Sequence, residues 1–86
     1  MRERQASLIP ALVERAVAIV PFGEGYQLQF ESNPEALRLI AEVIAAESSC
    51  CPFLKFDLSV PPAQADVTLT VSGPPGTRAF LDALFG

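Results

Sequence analysis

The chain has 86 residues, enough for one domain and too few for two. Half of them are hydrophobic and only 19% are charged, which excludes intrinsic disorder. A net charge of −4 leaves no basic stripe for nucleic acid or anionic lipid, and the lack of histidine removes imidazole catalysis and every His-containing metal site.

Ser7 to Arg15 reads as a short helix, with Ser7 as N-cap and Pro10 in its first turn. Leu8, Ile9, Leu12 and Val13 form its apolar side. Residues 1–6 are expected to be flexible. Pro10, Glu14 and Arg15 break up the apolar stretch a signal peptide needs, and nothing approaches the ~20 apolar residues of a membrane span. The expected product is a cytoplasmic protein with reduced cysteines.

Residues 16–22 are mostly apolar and β-branched, and Gly23-Glu24-Gly25 supplies a turn. Tyr26, Leu28 and Phe30 then alternate with Gln27, Gln29 and Glu31, which predicts a β-hairpin with one wet face. Ser32 with Glu35 fits a capping box, and Pro34 suits the first turn of the helix it opens. That helix should run to Ser49 or Cys51, because Pro52 cannot continue it.

A second hairpin is predicted beyond it. Leu54, Phe56, Leu58 and Val60 should face inward, as should Val67, Leu69 and Val71, with their neighbours wet. A last helix from Pro75 to Phe85 should bury Phe80, Leu81 and Leu84. The expected fold is α+β over residues 1–86, in the order α-ββ-α-ββ-α. One four-stranded antiparallel sheet would carry its helices mainly on one face.

On a wheel of the central helix, Glu35, Arg38, Glu42 and Ser49 form the solvent stripe. Leu37, Ile40, Ile44 and Cys51 lie opposite, with Cys50 at the boundary near Leu39 and Val43. Glu47 falls on the apolar half, one turn before the cysteines. A carboxylate there must reach past the helix end, find a partner or stay protonated.

Three readings of Cys50-Cys51 stand side by side. The thiols can be small core hydrophobes, as free cysteines commonly are. They can form a dithiol site, Glu47-x-x-Cys50-Cys51. They can close a vicinal disulfide, although adjacent Cα atoms about 3.8 Å apart fall below the usual disulfide window. Fast thiol exchange is disfavoured, since a helix C-terminus and a neighbouring carboxylate both oppose the thiolate. Lys55 is the nearest cation in sequence, and alternation sends it to the other sheet face. Two sulfurs cannot complete a four-ligand structural zinc, whereas soft ions that favour thiolate remain open, with Glu47 or a second subunit completing the shell.

Gly73-Pro74-Pro75-Gly76-Thr77-Arg78 places glycines and an arginine at a helix N-terminus, where anions can bind, without the Gly-Lys-Ser/Thr of a P-loop. A turn and cap explain it equally well. Glu24 and Asp82 read as solvated charges. No catalytic constellation is legible.

The stretch from Glu47 to Leu58, Glu-Ser-Ser-Cys-Cys-Pro-Phe-Leu-Lys-Phe-Asp-Leu, resembles a group of small bacterial proteins that share a Glu-x-x-Cys-Cys-Pro-Phe-x-x-Phe core. The same group has a Gly-Pro-x-Gly segment before a final helix, here Gly73 to Gly76, and a Gly-Tyr-x-Leu-x-Phe strand, here Gly25 to Phe30. Some members occur among heavy-metal-resistance genes. Residue by residue, the resemblance points to Glu47, Cys50 and Cys51 and implies no defined reaction. The first expectation, read from the vicinal thiols, is a protein that binds a thiophilic ion such as Hg(II), As(III) or Cu(I) as buffer, sensor or carrier. The rival expectation is a structural or interaction domain whose cysteines are packing residues. A third is a thiol-dependent enzyme with Glu47 as acid or base, which lacks a partner to activate the nucleophile. A homodimer is also expected, through the first helix or a sheet edge, since so short a chain hides its apolar surface poorly.

Overall fold

Seven elements form where the apolar periodicity changes. In the computed structural model, which describes residues 9–63 and 65–85, they are α1 (Ile9–Arg15), β1 (Ala18–Phe22), β2 (Gly25–Phe30), α2 (Pro34–Cys50), β3 (Lys55–Ser59), β4 (Val67–Ser72) and α3 (Thr77–Phe85). The fold is α+β in the expected order. Ser7, Leu8 and the segment 1–6 lie outside the described residues.

The strands make one antiparallel sheet in the order β1-β2-β4-β3. β1 and β2 are joined by Gly23-Glu24, with Phe22 opposite Gly25. Gly23 has φ +56, the positive value a two-residue hairpin turn asks of its first central residue. Gly25 is required for a different reason. A Cβ there would stand 1.8 Å from the Val71 carbonyl oxygen of β4.

Side chains at alternate positions share a face, so the register sorts the sheet. Ile19, Leu28, Leu69 and Leu58 form one row of the inner face, and Tyr26, Val71 and Phe56 the next. Against this face the helices set Ile9 and Leu12 of α1, Ala36, Ile40 and Val43 of α2, and Leu81 of α3. Phe30, Leu28, Leu69, Ile40 and Leu12 are almost wholly buried. The outer face carries Gln27, Gln29, Thr68, Asp57 and Lys55.

Two expectations about the strands are corrected. Leu58 and Val60 are not buried but 42% and 52% exposed. β3 is the outermost strand, and the helical layer covers only its beginning, at Leu54 and partly at Phe56. Thr70, expected to be wet, is buried. It sits on β4, flanked by two strands, with the Gln27 amide 3.4 Å from its hydroxyl.

The capping box is corrected as well. Asn33, not Ser32, caps α2: its side-chain oxygen accepts from the Ala36 backbone N–H at 2.8 Å, and Pro34 follows in the first turn. Asparagine beside proline competes successfully with serine one residue earlier, since Pro34 has no N–H to be satisfied and fits the first helical position.

Candidate metal centre

The buried stripe of α2 runs Ala36, Ile40, Val43 and Glu47, while Leu37 and Ile44 are only half-buried. The stripe is therefore turned by about half a residue step from the expected pole. That rotation carries Glu47 to the centre of the buried side, where only 5% of its surface is exposed. A carboxylate continues the stripe that three apolar residues begin. It is not unpartnered, because Cys51 lies one turn beyond it.

Pro52 explains the helix end. The residue before a proline is driven out of the α region, and Cys51 accordingly has φ −130 and ψ 75. Its N–H still donates to the Glu47 carbonyl at 2.6 Å, closing the last helical turn. Its carbonyl accepts from the Leu54 N–H at 3.0 Å, which closes a turn around Pro52-Phe53 and launches β3. One residue thus ends the helix and starts the strand.

The side chains converge at this junction. Cys51 Sγ lies 3.5 Å from Cys50 Sγ and 3.9 Å from Glu47 Oε1, so its single S–H has two acceptors in reach. One ligand atom from each of Glu47, Cys50 and Cys51 falls within 4.8 Å of the others. Cys50 is exposed and Cys51 buried, the division the helical wheel predicts. Both are free thiols, and no disulfide joins them. Burial chiefly, then the hydrogen bond to Cys50 and the neighbouring Cys50 and Glu47 charges, push the Cys51 thiol up from 9.0 to about 11. Lys55 faces away, exposed, 3.5 Å from Asp57.

Phe53, beside the cysteines, belongs to the Cys-Cys-Pro-Phe stretch but has no role assigned from the sequence. It is 44% exposed and meets Phe80 of α3 edge to face, with ring centroids 5.2 Å apart. Its carbonyl oxygen would stand 3.0 Å from a Cβ at Gly73. The thiol loop is thereby pinned to the segment that leads into α3.

The Gly73–Arg78 segment serves the fold. The Gly76 N–H donates to Glu24 Oε1 at 3.4 Å. Arg78 donates to the Gly23 carbonyl and lies over the Tyr26 ring, 5.6 Å from its centroid. Asp82 accepts from the Tyr26 hydroxyl and raises its pKa. Glu24 and Asp82, expected to be free solvated charges, thus clasp the hairpin to α3. These partners lie more than fifty positions apart, and no local spacing betrays them.

Among the described residues no helix is long and apolar enough to cross a membrane. No family model, curated protein or solved structure matches this chain.

Proposed function

We propose that Glu47, Cys50 and Cys51 bind a soft thiophilic ion, and that the protein acts as a buffer, sensor or carrier for it in a reducing compartment. The observation that carries this reading is the meeting of two thiols and a buried carboxylate within 4.8 Å of one another. Thiolate sulfur selects soft ions, and a bound ion displaces the thiol protons that burial otherwise retains.

The spacing also ranks the ions. With metal–sulfur bonds of about 2.3 Å, sulfurs 3.5 Å apart subtend about 100° at a shared ion. That bite suits a bent or pyramidal centre such as As(III), with the Glu47 carboxylate as third donor. Linear coordination of Hg(II) or Cu(I) asks for sulfurs about 4.6 Å apart at the same bond length, so these ions require the thiols to spread.

The rival role, packing alone, accounts for the buried Cys51 but not for the exposed Cys50. Native mass spectrometry with thiol counting, after adding arsenite or Hg(II), separates the two readings. One equivalent bound with loss of two titratable thiols is expected, and Glu47→Gln should weaken As(III) more than Hg(II). A Cys50→Ser, Cys51→Ser double variant that binds both ions as tightly as wild type, or a wild type that binds neither, leaves only the packing role.

A further inference from the structure

We infer that the free edge of β3 docks a second copy of this chain, antiparallel, about a two-fold axis passing at Phe56. The sheet has two edges, and they differ. β1 carries Pro21, which lacks the N–H a new strand would use. β3, Lys55-Phe56-Asp57-Leu58-Ser59, has no proline, and among the described residues no strand neighbours its far side. Among the described residues the exposed large hydrophobics divide between the two edges, Val17, Val20 and Phe22 at β1 and Phe53 (44%), Leu58 (42%) and Val60 (52%) at β3. It is therefore the missing proline that singles out β3. An open edge bordered by apolar side chains is the kind of surface that strand addition covers.

Charge identifies the occupant as another copy. Lys55 and Asp57 share the outer face, 3.5 Å apart as an exposed ion pair within the chain, with side chains 72% and 60% exposed. Docking exchanges this solvated pair for two cross-strand ones. In an antiparallel pairing with Phe56 opposite its own copy, Lys55 falls opposite Asp57 of the second copy, and Asp57 opposite its Lys55. The strand is complementary to itself, as a two-fold interface must be. In the same register Leu58 falls opposite Leu54 on the inner face, extending the core row across the axis. Sliding the register to centre on Asp57 sets two aspartates face to face, which cross-strand pairing penalises. Centring on Leu58 leaves Lys55 opposite Pro61 and forfeits both ion pairs. The contact is one strand wide, which places the dimer at the weak end of specific interfaces.

Sedimentation equilibrium of the full chain from low to high micromolar concentration tests the docking. Wild type should pass from monomer to dimer. Lys55→Glu and Asp57→Lys should each raise the dissociation constant about tenfold or more, because symmetry converts both attractive pairs into like-charge pairs. The swap, Lys55→Asp with Asp57→Lys, should restore wild-type association. Circular dichroism and melting should stay near wild type in all three, since both side chains are solvated in the monomer. A monomer throughout the range, single variants that associate like wild type, or a swap that fails to restore association overturns the proposal.

Discussion

Cys51 is a residue whose backbone and side chain have separate duties. The backbone joins α2 to the turn before β3, and the thiol sits between Cys50 and the Glu47 carboxylate. Cys51→Ser should therefore spare the junction but bury a hydroxyl in place of a weakly polar sulfur, at a cost of about 1–3 kcal/mol where its hydrogen bonds are incomplete. Cys50→Ser should leave stability near wild type, since Cys50 is exposed. Denaturant melts of the two variants test that asymmetry. Titration gives a second test. The folded thiol of Cys51 titrates near 11 rather than 9.0, so the folded state holds its proton more tightly than the unfolded chain does. Its contribution to stability is complete below pH 9.0 and is lost as pH rises toward 11. Stability of wild type should fall over that window, and fall less in Cys51→Ser. Alkylation at neutral pH should label Cys50 and spare Cys51.

At the scale of elements, α2 has its cap and its buried stripe each displaced slightly from what the sequence predicts. Ser32 and Asn33 are both good N-caps, and only the course of the chain out of β2 decides between them. Asn33→Ala should cost about 1 kcal/mol in thermal or chemical melts, and Ser32→Ala a few tenths at most. The reverse order would reinstate Ser32 as the cap. The position of Glu47 was legible in part: the wheel puts it on the apolar half, but not at the centre of the buried stripe. The difference is set by how α2 rolls on the sheet, and rolling is decided by residues far away in sequence. The same limit hid the clasp of Glu24, Arg78 and Tyr26, whose partners share no periodicity. β4, by contrast, reads correctly at Val67, Leu69 and Val71, because all three belong to the one core cluster that the helices complete.

The whole molecule is a single sheet with its helical layer on one side, and that layer stops short of the outer strand. Leu69 and Leu58 are cross-strand partners on the same face, yet one is wholly buried and the other 42% exposed. Period-2 alternation names the face a side chain points to, not whether anything stands over it. That is why Leu58 stands on the expected face and is nonetheless uncovered, while Val60 lies beyond the end of the strand. Leu69→Ala should cost about 2–5 kcal/mol, the range for large core truncations. Leu58→Ala should cost well under 1 kcal/mol at concentrations where the chain is monomeric, since there is little burial to lose. Comparable losses at both positions would mean that the inner face is covered out to β3.

The two thiols are neighbours in the chain, so they stay neighbours when the chain unfolds. Under the proposed ion-binding role this site would differ from one whose ligands are scattered along the sequence and dismantled by denaturation. Here the sulfur pair persists, and unfolding removes only the Glu47 carboxylate's fixed position and the shelter around Cys51. An ion that binds both states stabilises the fold only by the difference between its two affinities. Saturating arsenite should therefore raise the melting temperature far less than its affinity for the native protein suggests, and Glu47→Gln should shrink even that increment. Arsenite added to the denatured chain should still register by isothermal titration. A newly made chain would then hold its ion before it has a core, and folding would act as a late adjustment of grip.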